Sequence, residues 1–253
     1  FFVVPSTSGT GSEASVAAVI SDSVTHIKAL VVDPGLVPLA AALDPLITMG
    51  MPASVTAETG VDALTHALEG WMSQFSNPQT DGYNRTAVRL ILNNLETACN
   101  EPTNLAARDA TALGSHYAGL CLSTSAVGYV HAIAHQLGAR YGVPHGRANA
   151  MVLPHVLAFN QPACVKKLGS LARDLELAAP GSTDSAAAEA LSARVRELLA
   201  RLPIRRSGAM IQRSDYARMA NDALTEAHGM YAVPRYMAEE DVYRVLDGVA
   251  AVA

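Results

Sequence analysis

Three histidines whose spacing suits a metal site or proton transfer lie close together in this sequence: His131, His135 and His145. His131 and His135 are four residues apart in a run that predicts a helix, where positions i and i+4 share one face. Pro144 and Gly146 flank His145 and predict a tight segment that can bring its imidazole back towards the other two. Neutral imidazole is a good ligand for first-row divalent ions. This stretch therefore predicts either a metal site or a group of hydrogen-bonded core histidines.

A second pair with helical spacing is Asp62 and His66, which lie among apolar neighbours. A carboxylate and an imidazole on a buried helix face rarely stay unpaired, because an uncompensated buried charge is costly. An Asp–His hydrogen bond would satisfy both side chains. A shared metal ion would instead explain four residues at once: Asp62, His66, His131 and His145. One carboxylate and three imidazoles suit Fe²⁺ or Zn²⁺ and do not decide between them.

His135 would be spare in a site with these four ligands. It lies one turn after His131, so it can face the space beside the ion and carry a proton near neutral pH. A hydrogen bond to a backbone carbonyl is the competing interpretation. The other histidines have no partner at ligand spacing and are predicted to be structural or at the surface: His26, His116, His155 and His228.

The elements that would position these side chains are mainly helices. After Pro52 the apolar pattern and the start signals predict helices at about 54–75, 79–98, 104–125, 128–139, 146–160, 163–177, 184–201, 214–225 and 238–251. Gly138 is predicted to stop the helix of His131 and His135. We therefore expect an all-helical body at residues 53–253.

The first 52 residues predict a small β-containing head. An apolar run at 1–4 predicts a strand, and the runs at 16–20 and 27–32 predict a β-hairpin around Ser21-Asp22-Ser23. Between them, Gly9-Thr10-Gly11-Ser12-Glu13-Ala14 matches the G-x-G-x-x-A dinucleotide fingerprint, with Asp33 about twenty residues on. That fingerprint needs a helix to begin at the loop, whereas the sequence predicts a hairpin there. We interpret the match as a weak signal, although such small residues permit close approach to a cofactor.

Composition excludes several classes of protein. The chain has 253 residues, of which 50% are hydrophobic and 16% are charged, with a net charge of −5, which is typical of a globular protein with a sizeable core. Only Arg205-Arg206 resembles a basic cluster, and no apolar run reaches the ~18 residues of a membrane span. The three scattered cysteines predict small core residues in a reducing compartment, so we expect a cytoplasmic protein without nucleic-acid or membrane partners.

Several stretches together resemble the iron-containing (group III) alcohol dehydrogenases: PSTSGTGSE at 5–13, DP at 44–45, TAETGVDALTHALE at 56–69, residues 128–150 and VPR at 233–235. The resemblance covers nearly the whole chain. It implies a dinucleotide-binding α/β domain followed by an all-helical metal-binding domain, with the active site between them. The family's Gly-Gly-Gly-Ser pyrophosphate loop is absent from this sequence. We therefore expect residues 1–52 to be the end of a dinucleotide-binding domain whose first part precedes Phe1.

The resemblance also implies roles for individual residues. It assigns the metal ligands to the four that the spacing suggests: Asp62, His66, His131 and His145. His135 falls where the family keeps a histidine close to the nicotinamide and the substrate. Residues of the head that would approach the cofactor are Ser6, Thr7, Thr10, Ser12 and Lys28. The implied cofactors are Fe²⁺, with Zn²⁺ as the alternative, and NAD or NADP.

The implied activity is the reversible oxidation of an alcohol to an aldehyde or ketone. The ion would polarise the substrate oxygen for hydride transfer, and His135 would help to pass the hydroxyl proton to solvent. Metal-dependent hydrolysis also fits the ligand types, although the sequence has no HExxH motif. A third alternative is a helical remnant that binds metal and a partner subunit without catalysis. The expected partners are a small alcohol or carbonyl compound and, in a homodimer, a second copy of the chain.

Overall fold

The computed structural model describes residues 1–21 and 28–252, and for Val19, Ser21 and residues 28–30 it describes the backbone alone. In this part of the chain the strands are β1 (Phe2–Val3), β2 (Ala17–Ser21), β3 (Lys28–Val32) and β4 (Ala40–Ala41). The helices are α1 (Pro45–Thr48), α2 (Ala53–Met72), α3 (Pro78–Asn100), α4 (Leu105–Ser125), α5 (Tyr129–Tyr141), α6 (His145–Asp174), α7 (Asp184–Arg201), α8 (Tyr216–Met230) and α9 (Glu239–Ala250). None of these helices is both long and apolar enough to cross a membrane. The predicted fold class, mainly α with a short β-containing head, is confirmed.

The described residues of the head contain two separate strand pairs. β1 and β4 run parallel, with Phe2 beside Ala40. β2 and β3 form the predicted antiparallel hairpin, with Ala17 beside Val32. The predicted turn falls at Asp22 and Ser23, which, like His26, lie outside the described residues.

The loop between β1 and β2 ends in one turn of 3-10 helix at Ser12–Ala14, and β2 follows directly. The dinucleotide fingerprint would need an α-helix at this point to hold a pyrophosphate. The interpretation of this loop as something other than that fingerprint is therefore confirmed.

α2 is the centre of the helical body. Its residues are buried almost without interruption from Thr56 to its end, and it packs against α3, α4 and α6. Since a helix surrounded by protein has no solvent face, each polar side chain on it needs a partner inside the protein. α2 therefore holds its two predicted ligands, Asp62 and His66, in the interior.

The helices around α2 pack pairwise. α3 packs on α4, α6 on α7, and α5 on both α6 and α8. The start of α3 shows how the sequence fixes such an element: the Asn77 side chain accepts hydrogen bonds from the N–H groups of Gln79 and Thr80, and Pro78 occupies the first helical position. This arrangement satisfies helix N–H groups that have no partner within the helix.

The helices predicted at 146–160 and 163–177 are a single helix, α6, so the predicted break is wrong. α6 continues through Pro162, which inside a helix costs about 3 kcal/mol. Leu157 and Leu168, on either side of this proline, are fully buried in the core. Burying such side chains contributes about 1.5–3 kcal/mol each, and this packing outweighs the cost of the proline.

The predicted stop at Gly138 is also wrong. α5 continues to Tyr141 and ends at Gly142, whose φ of 64° is the left-handed conformation that favours glycine at a helix end. Leu137 and Tyr141 both pack against the core. Their packing keeps the chain helical beyond Gly138.

α8 runs to Met230, five residues beyond the predicted end at 225. Ala223 and Ala227, one turn apart, are both fully buried, so the core continues under the additional turn. This turn carries Glu226.

The cysteines are core residues, as predicted. Cys99, Cys121 and Cys164 are buried free thiols in the described part of the chain. Burial raises the pKa of Cys99 and Cys164 to about 11 and that of Cys121 to about 12. They are therefore unreactive at neutral pH.

A fully buried arginine anchors the start of α2. Arg108, on α4, donates from Nη1 to the Thr56 hydroxyl at 2.7 Å and from Nε to the Pro102 carbonyl at 3.1 Å. Among the described residues it has no carboxylate partner. Its guanidinium therefore joins α4 to the helix that carries Asp62.

Replacing Arg108 by Met should lower the free energy of unfolding by about 2–4 kcal/mol, because it leaves the buried Thr56 hydroxyl and the part-buried Pro102 carbonyl without their donor. Chemical denaturation followed by circular dichroism measures this change. The matched control is Arg201→Met, which removes an arginine from exposed pairs with Glu96 and Glu197 and should change stability by less than about 1 kcal/mol. Equal effects of the two substitutions would contradict the anchoring role of Arg108.

Candidate metal centre

Asp62 and His66 lie on the same side of α2, as their i, i+4 spacing predicts. They are 3% and 5% exposed, and Nε2 of His66 lies 3.8 Å from Oδ1 of Asp62. That distance is too long for a direct hydrogen bond. The simple Asp–His hydrogen bond considered from the sequence is therefore not formed, and both side chains require other partners.

α5 and α6 bring two more imidazoles to the same carboxylate. The Nε2 atoms of His131 and His145 lie 3.4 and 3.2 Å from Oδ1 of Asp62. One donor atom from each of Asp62, His131 and His145 lies within 4.8 Å of the other two, and we call these three residues the donor triad. His66 lies beside the triad, with its ring stacked on that of His131 at a centroid distance of 4.5 Å. The structure thus brings the four predicted ligands together, three in a compact group and one next to it.

A close crossing of two helices positions His145. His145 is the first residue of α6 and Gly146 the second. A Cβ atom at Gly146 would lie 2.1 Å from the carbonyl oxygen of Glu58 on α2, so a larger residue would push the two helices apart. Arg147 pairs with the Glu58 carboxylate at 2.8 Å and holds α6 against α2 at the same place.

Asn149 lies where the atoms of the donor triad converge. Its Nδ2 is 2.7 Å from Oδ1 of Asp62, 3.2 Å from Nε2 of His131 and 3.4 Å from Nε2 of His145. An amide NH₂ group has two hydrogens and cannot bond fully to three neighbours. The Oδ1 of Asn149 is buried and has no hydrogen-bond partner among the described residues. The three side chains thus direct lone-pair atoms at one point, and the residues present fit a bound divalent cation.

The pKa values follow from burial and from this crowding. Burial alone would raise the pKa of Asp62, but the surrounding histidines hold it well below its usual range. Burial lowers the pKa of His66 to about 3, so its ring is neutral. Burial acts the same way on His131, but the carboxylates of Asp62 and Glu69 prevail and raise its pKa to about 9. A ring nitrogen that attracts a proton this strongly also suits a metal ion, because the two compete for the same lone pair.

His135 lies at the edge of the site, with its side chain 32% exposed. Its ring stacks on that of His145 at a centroid distance of 5.4 Å. Its Nδ1 lies 2.7 Å from Oε1 of Glu226, and this oxygen also accepts a hydrogen bond from the Tyr231 hydroxyl at 2.5 Å. A carboxylate therefore takes the place of the backbone carbonyl considered from the sequence. Burial lowers the pKa of His135 although Glu226 opposes the shift.

The head loop packs on the helical body, with the hydroxyl of Ser8 buried and its other hydroxyl side chains exposed. Gly11, at φ 64°, contacts Gly119 of α4 so closely that a Cβ on Gly119 would lie 2.6 Å from the Gly11 carbonyl oxygen. The predicted cofactor residues of this loop are all exposed: Ser6, Thr7, Thr10 and Ser12. Lys28, the fifth predicted cofactor residue, begins β3, where the structure describes only the backbone.

The family model described as Fe-containing alcohol dehydrogenase family, C-terminal, matches residues 56–249, which is more than half of the chain and contains the donor triad. The chain belongs to the iron-containing alcohol dehydrogenase family. The resemblance drawn from the sequence is therefore confirmed.

Relatives in this iron-containing family match nearly all of the chain. The 1,3-propanediol dehydrogenase of Klebsiella pneumoniae is 37% identical over 241 residues, which are 94% of this chain and 62% of that protein. A crystal structure of 1,3-propanediol oxidoreductase has a TM-score of 0.92 at 35% identity and covers 98% of this chain and 65% of its own. The sulfoacetaldehyde reductase of Bifidobacterium kashiwanohense in complex with NAD+ has a TM-score of 0.89 at 26% identity, with 100% of this chain and 65% of its own covered. The chain spans about three-fifths of the length of the curated relatives it matches.

The sequence did not predict three residues that lie near the donor triad: Glu69, Asn149 and Glu226. Glu69 and Asn149 could have been found by helical spacing, since Glu69 lies three residues after His66 and Asn149 four after His145. Both point into the site and contact its histidines. Glu226 comes from a distant helix and had no such signal.

Other histidines form pairs that suit the structural role predicted for them. Nδ1 of His116 lies 3.2 Å from Oε1 of the buried Glu13. Nε2 of His228 lies 2.7 Å from the Tyr129 hydroxyl. Neither histidine belongs to the donor group found among the described residues.

Replacing Gly146 by Ala should lower the affinity for Zn²⁺ at least about tenfold, a loss comparable to that caused by disturbing the support of a ligand. The physical reason is the 2.1 Å approach to the Glu58 carbonyl, which forces the first turn of α6, with His145, to move. Competition with a chromophoric chelator measures the affinity.

The matched control is Gly138→Ala on α5, where the nearest atom to the added Cβ is the Val143 carbonyl at an ordinary 3.5 Å. Alanine favours a helix more than glycine, so this variant should be as stable as the parent chain or more so, with unchanged affinity. Unchanged affinity in Gly146→Ala as well would contradict the importance of this helix crossing.

Proposed function

We propose that this chain forms the metal-binding part of an NAD(P)-dependent alcohol dehydrogenase, which interconverts a small alcohol and an aldehyde or ketone. The observation that carries the proposal is the convergence of the donor triad on one point, with His135 beside it. Membership of the iron-containing alcohol dehydrogenase family and the names of its relatives, among them 1,3-propanediol dehydrogenase and 1-propanol dehydrogenase, support this assignment.

The proposed metal ligands are Asp62, His66, His131 and His145. Asp62 brings the negative charge that balances a divalent cation, and its low pKa keeps that charge at neutral pH. His66 is neutral, so one of its ring nitrogens keeps a lone pair for the ion. The family description favours Fe²⁺, and the same nitrogen and oxygen donors also suit Zn²⁺. When bound, the ion would polarise the substrate oxygen as a Lewis acid and the nicotinamide would accept the hydride.

His135 is proposed as the group that moves the hydroxyl proton. Glu226 accepts a hydrogen bond from the Nδ1 side of the ring, so Nε2 is left as the proton acceptor. The ring is partly exposed, which gives a path for the proton to solvent. Glu226 thereby orients His135, and Tyr231 in turn holds Glu226.

The cofactor is proposed to contact the exposed side of the head loop through Ser6, Thr7, Thr10 and Ser12, with Lys28 nearby. The NAD+ complex of the sulfoacetaldehyde reductase supports a dinucleotide in a relative of the same fold. We also propose the division into a head at 1–52 and a catalytic body at 53–253, because the long helices begin with α2 at Ala53. The homodimer and the cytoplasmic location stay predictions.

Replacing His145 by Ala should abolish retention of the metal, because one member of the donor triad is lost. The parent chain, loaded with Fe²⁺ or Zn²⁺ and dialysed, should keep about one ion per chain by elemental analysis. His116→Ala is the control, since it removes a histidine paired with a buried carboxylate outside the triad. An unchanged metal content in His145→Ala would contradict the assignment of His145 as a metal ligand.

When the parent chain is joined to the dinucleotide-binding domain that the family resemblance implies, addition of Fe²⁺ or Zn²⁺ should produce NAD+- or NADP+-dependent oxidation of 1-propanol or 1,3-propanediol, which is followed by the absorbance of the reduced nicotinamide. His135→Ala should lower kcat by about 10²–10⁴, the usual contribution of a positioned proton-transfer group, while metal content stays the same. Metal retention without turnover in the joined protein would instead favour a metal-binding remnant. Turnover that survives complete removal of the ion would contradict the proposed role of the metal.

A further inference from the structure

We propose that Glu69 is a positioning residue of the metal centre, which fixes the ring of His131 so that its Nε2 presents a lone pair to the ion. This inference rests on the proposed function insofar as that function assigns His131 as a ligand. It adds a residue that the ligand set does not contain. It also explains why His131 uses Nε2 when both ring nitrogens are available in principle.

The geometry uses both oxygens of the Glu69 carboxylate. Oε1 accepts a hydrogen bond from the backbone N–H of Val130 at 2.7 Å. Oε2 lies 2.6 Å from Nδ1 of His131. The side chains of Glu69 and His131 are 2% and 3% exposed, so water cannot replace either contact easily. One carboxylate therefore holds the start of α5 and the ring that follows it.

The number of acceptor atoms decides the tautomer of His131. The Val130 N–H is always a donor, so it takes one oxygen of Glu69. The second oxygen can only accept, and it therefore favours a proton on Nδ1 of His131. In the neutral ring that proton leaves Nε2 with its lone pair. This nitrogen is the one that lies 3.4 Å from Oδ1 of Asp62, within the donor triad.

A glycine makes room for this carboxylate. Gly128 directly precedes α5, and a Cβ at this position would lie 2.7 Å from Oε1 of Glu69. A side chain at residue 128 would therefore displace the carboxylate from its present contact with the first turn of α5. Glu69 also lies three residues after His66 on α2, so the same helix supplies two proposed ligands and the group that orients a third.

Glu69→Gln tests this proposal directly, because it keeps the shape of the side chain but replaces one acceptor oxygen by a donor NH₂ group. The amide oxygen can still accept from Val130, but the NH₂ group then faces Nδ1 of His131 and favours the tautomer with the proton on Nε2. Binding of the ion must then displace that proton or break the new hydrogen bond. We expect the affinity for Zn²⁺, measured by chelator competition on the full chain, to fall by about 10–100-fold.

The matched control is Glu13→Gln, which changes another buried carboxylate that pairs with a histidine, His116, outside the donor triad. Its affinity for Zn²⁺ should equal that of the parent chain. Gly128→Ala is a second variant with unaltered charge, and it should also weaken binding because its Cβ displaces the Glu69 carboxylate. Circular dichroism verifies that each variant is folded.

A measurement on the parent chain tests the inference without any substitution. In the Zn²⁺-loaded, ¹⁵N-histidine-labelled protein, long-range ¹H–¹⁵N correlation should show His131 with a proton on Nδ1 and the ion on Nε2. Weaker binding by Glu69→Gln together with this pattern supports the role of Glu69. Equal affinity of Glu69→Gln and the parent chain, or an unprotonated Nδ1 of His131, overturns it and leaves the metal site itself intact. Failure of the parent chain to bind Zn²⁺ or Fe²⁺ would instead overturn the proposed function.

Discussion

Asp62 carries an ionised carboxylate into the middle of a helical body, where an unpaired charge would cost several kcal/mol. Its compensation comes from imidazoles on three helices: His66 on α2 itself, His131 on α5 and His145 on α6. The charge can be balanced by a proton, which the raised pKa of His131 favours, or by a divalent cation bound among the same atoms. Either way, α2, α5 and α6 must meet at this carboxylate, and the arrangement of the other helices supports that meeting.

The contact of α2, α5 and α6 depends on glycine positions where the backbone lies against another backbone or against a carboxylate. Gly146 allows α6 to cross α2 at Glu58, and Gly128 allows the carboxylate of Glu69 to reach the start of α5. Gly11 seats the head loop on α4 in the same way. At each of these glycines a larger residue would clash with the backbone or the carboxylate that lies against it. The backbone of the head loop and the helices of the donor triad therefore pack together.

Sequence spacing predicts the residues that share a helix, because i, i+4 neighbours lie on one face whatever the rest of the fold does. It identified Asp62 with His66 and the helix of His131, and the family resemblance then assigned the separate role of His135. Glu226 could not be found in this way. It lies 91 residues from His135, in a turn of α8 beyond the predicted helix end, so no local pattern connects the two. Local propensity also does not describe tertiary packing, which keeps α6 helical at its internal prolines.

Diffraction from crystals grown with Zn²⁺ or Fe²⁺, with data collected at the absorption edge of the metal, tests the central claim most directly. The account predicts one strong anomalous peak where Oδ1 of Asp62 and Nε2 of His131 and His145 converge. The Asn149 amide should have moved away from its present contacts, and His66 should lie close enough to be a ligand. If crystals grown with saturating metal gave no anomalous peak at this point, and Asn149 were still hydrogen-bonded to Asp62, the metal-site assignment would be contradicted.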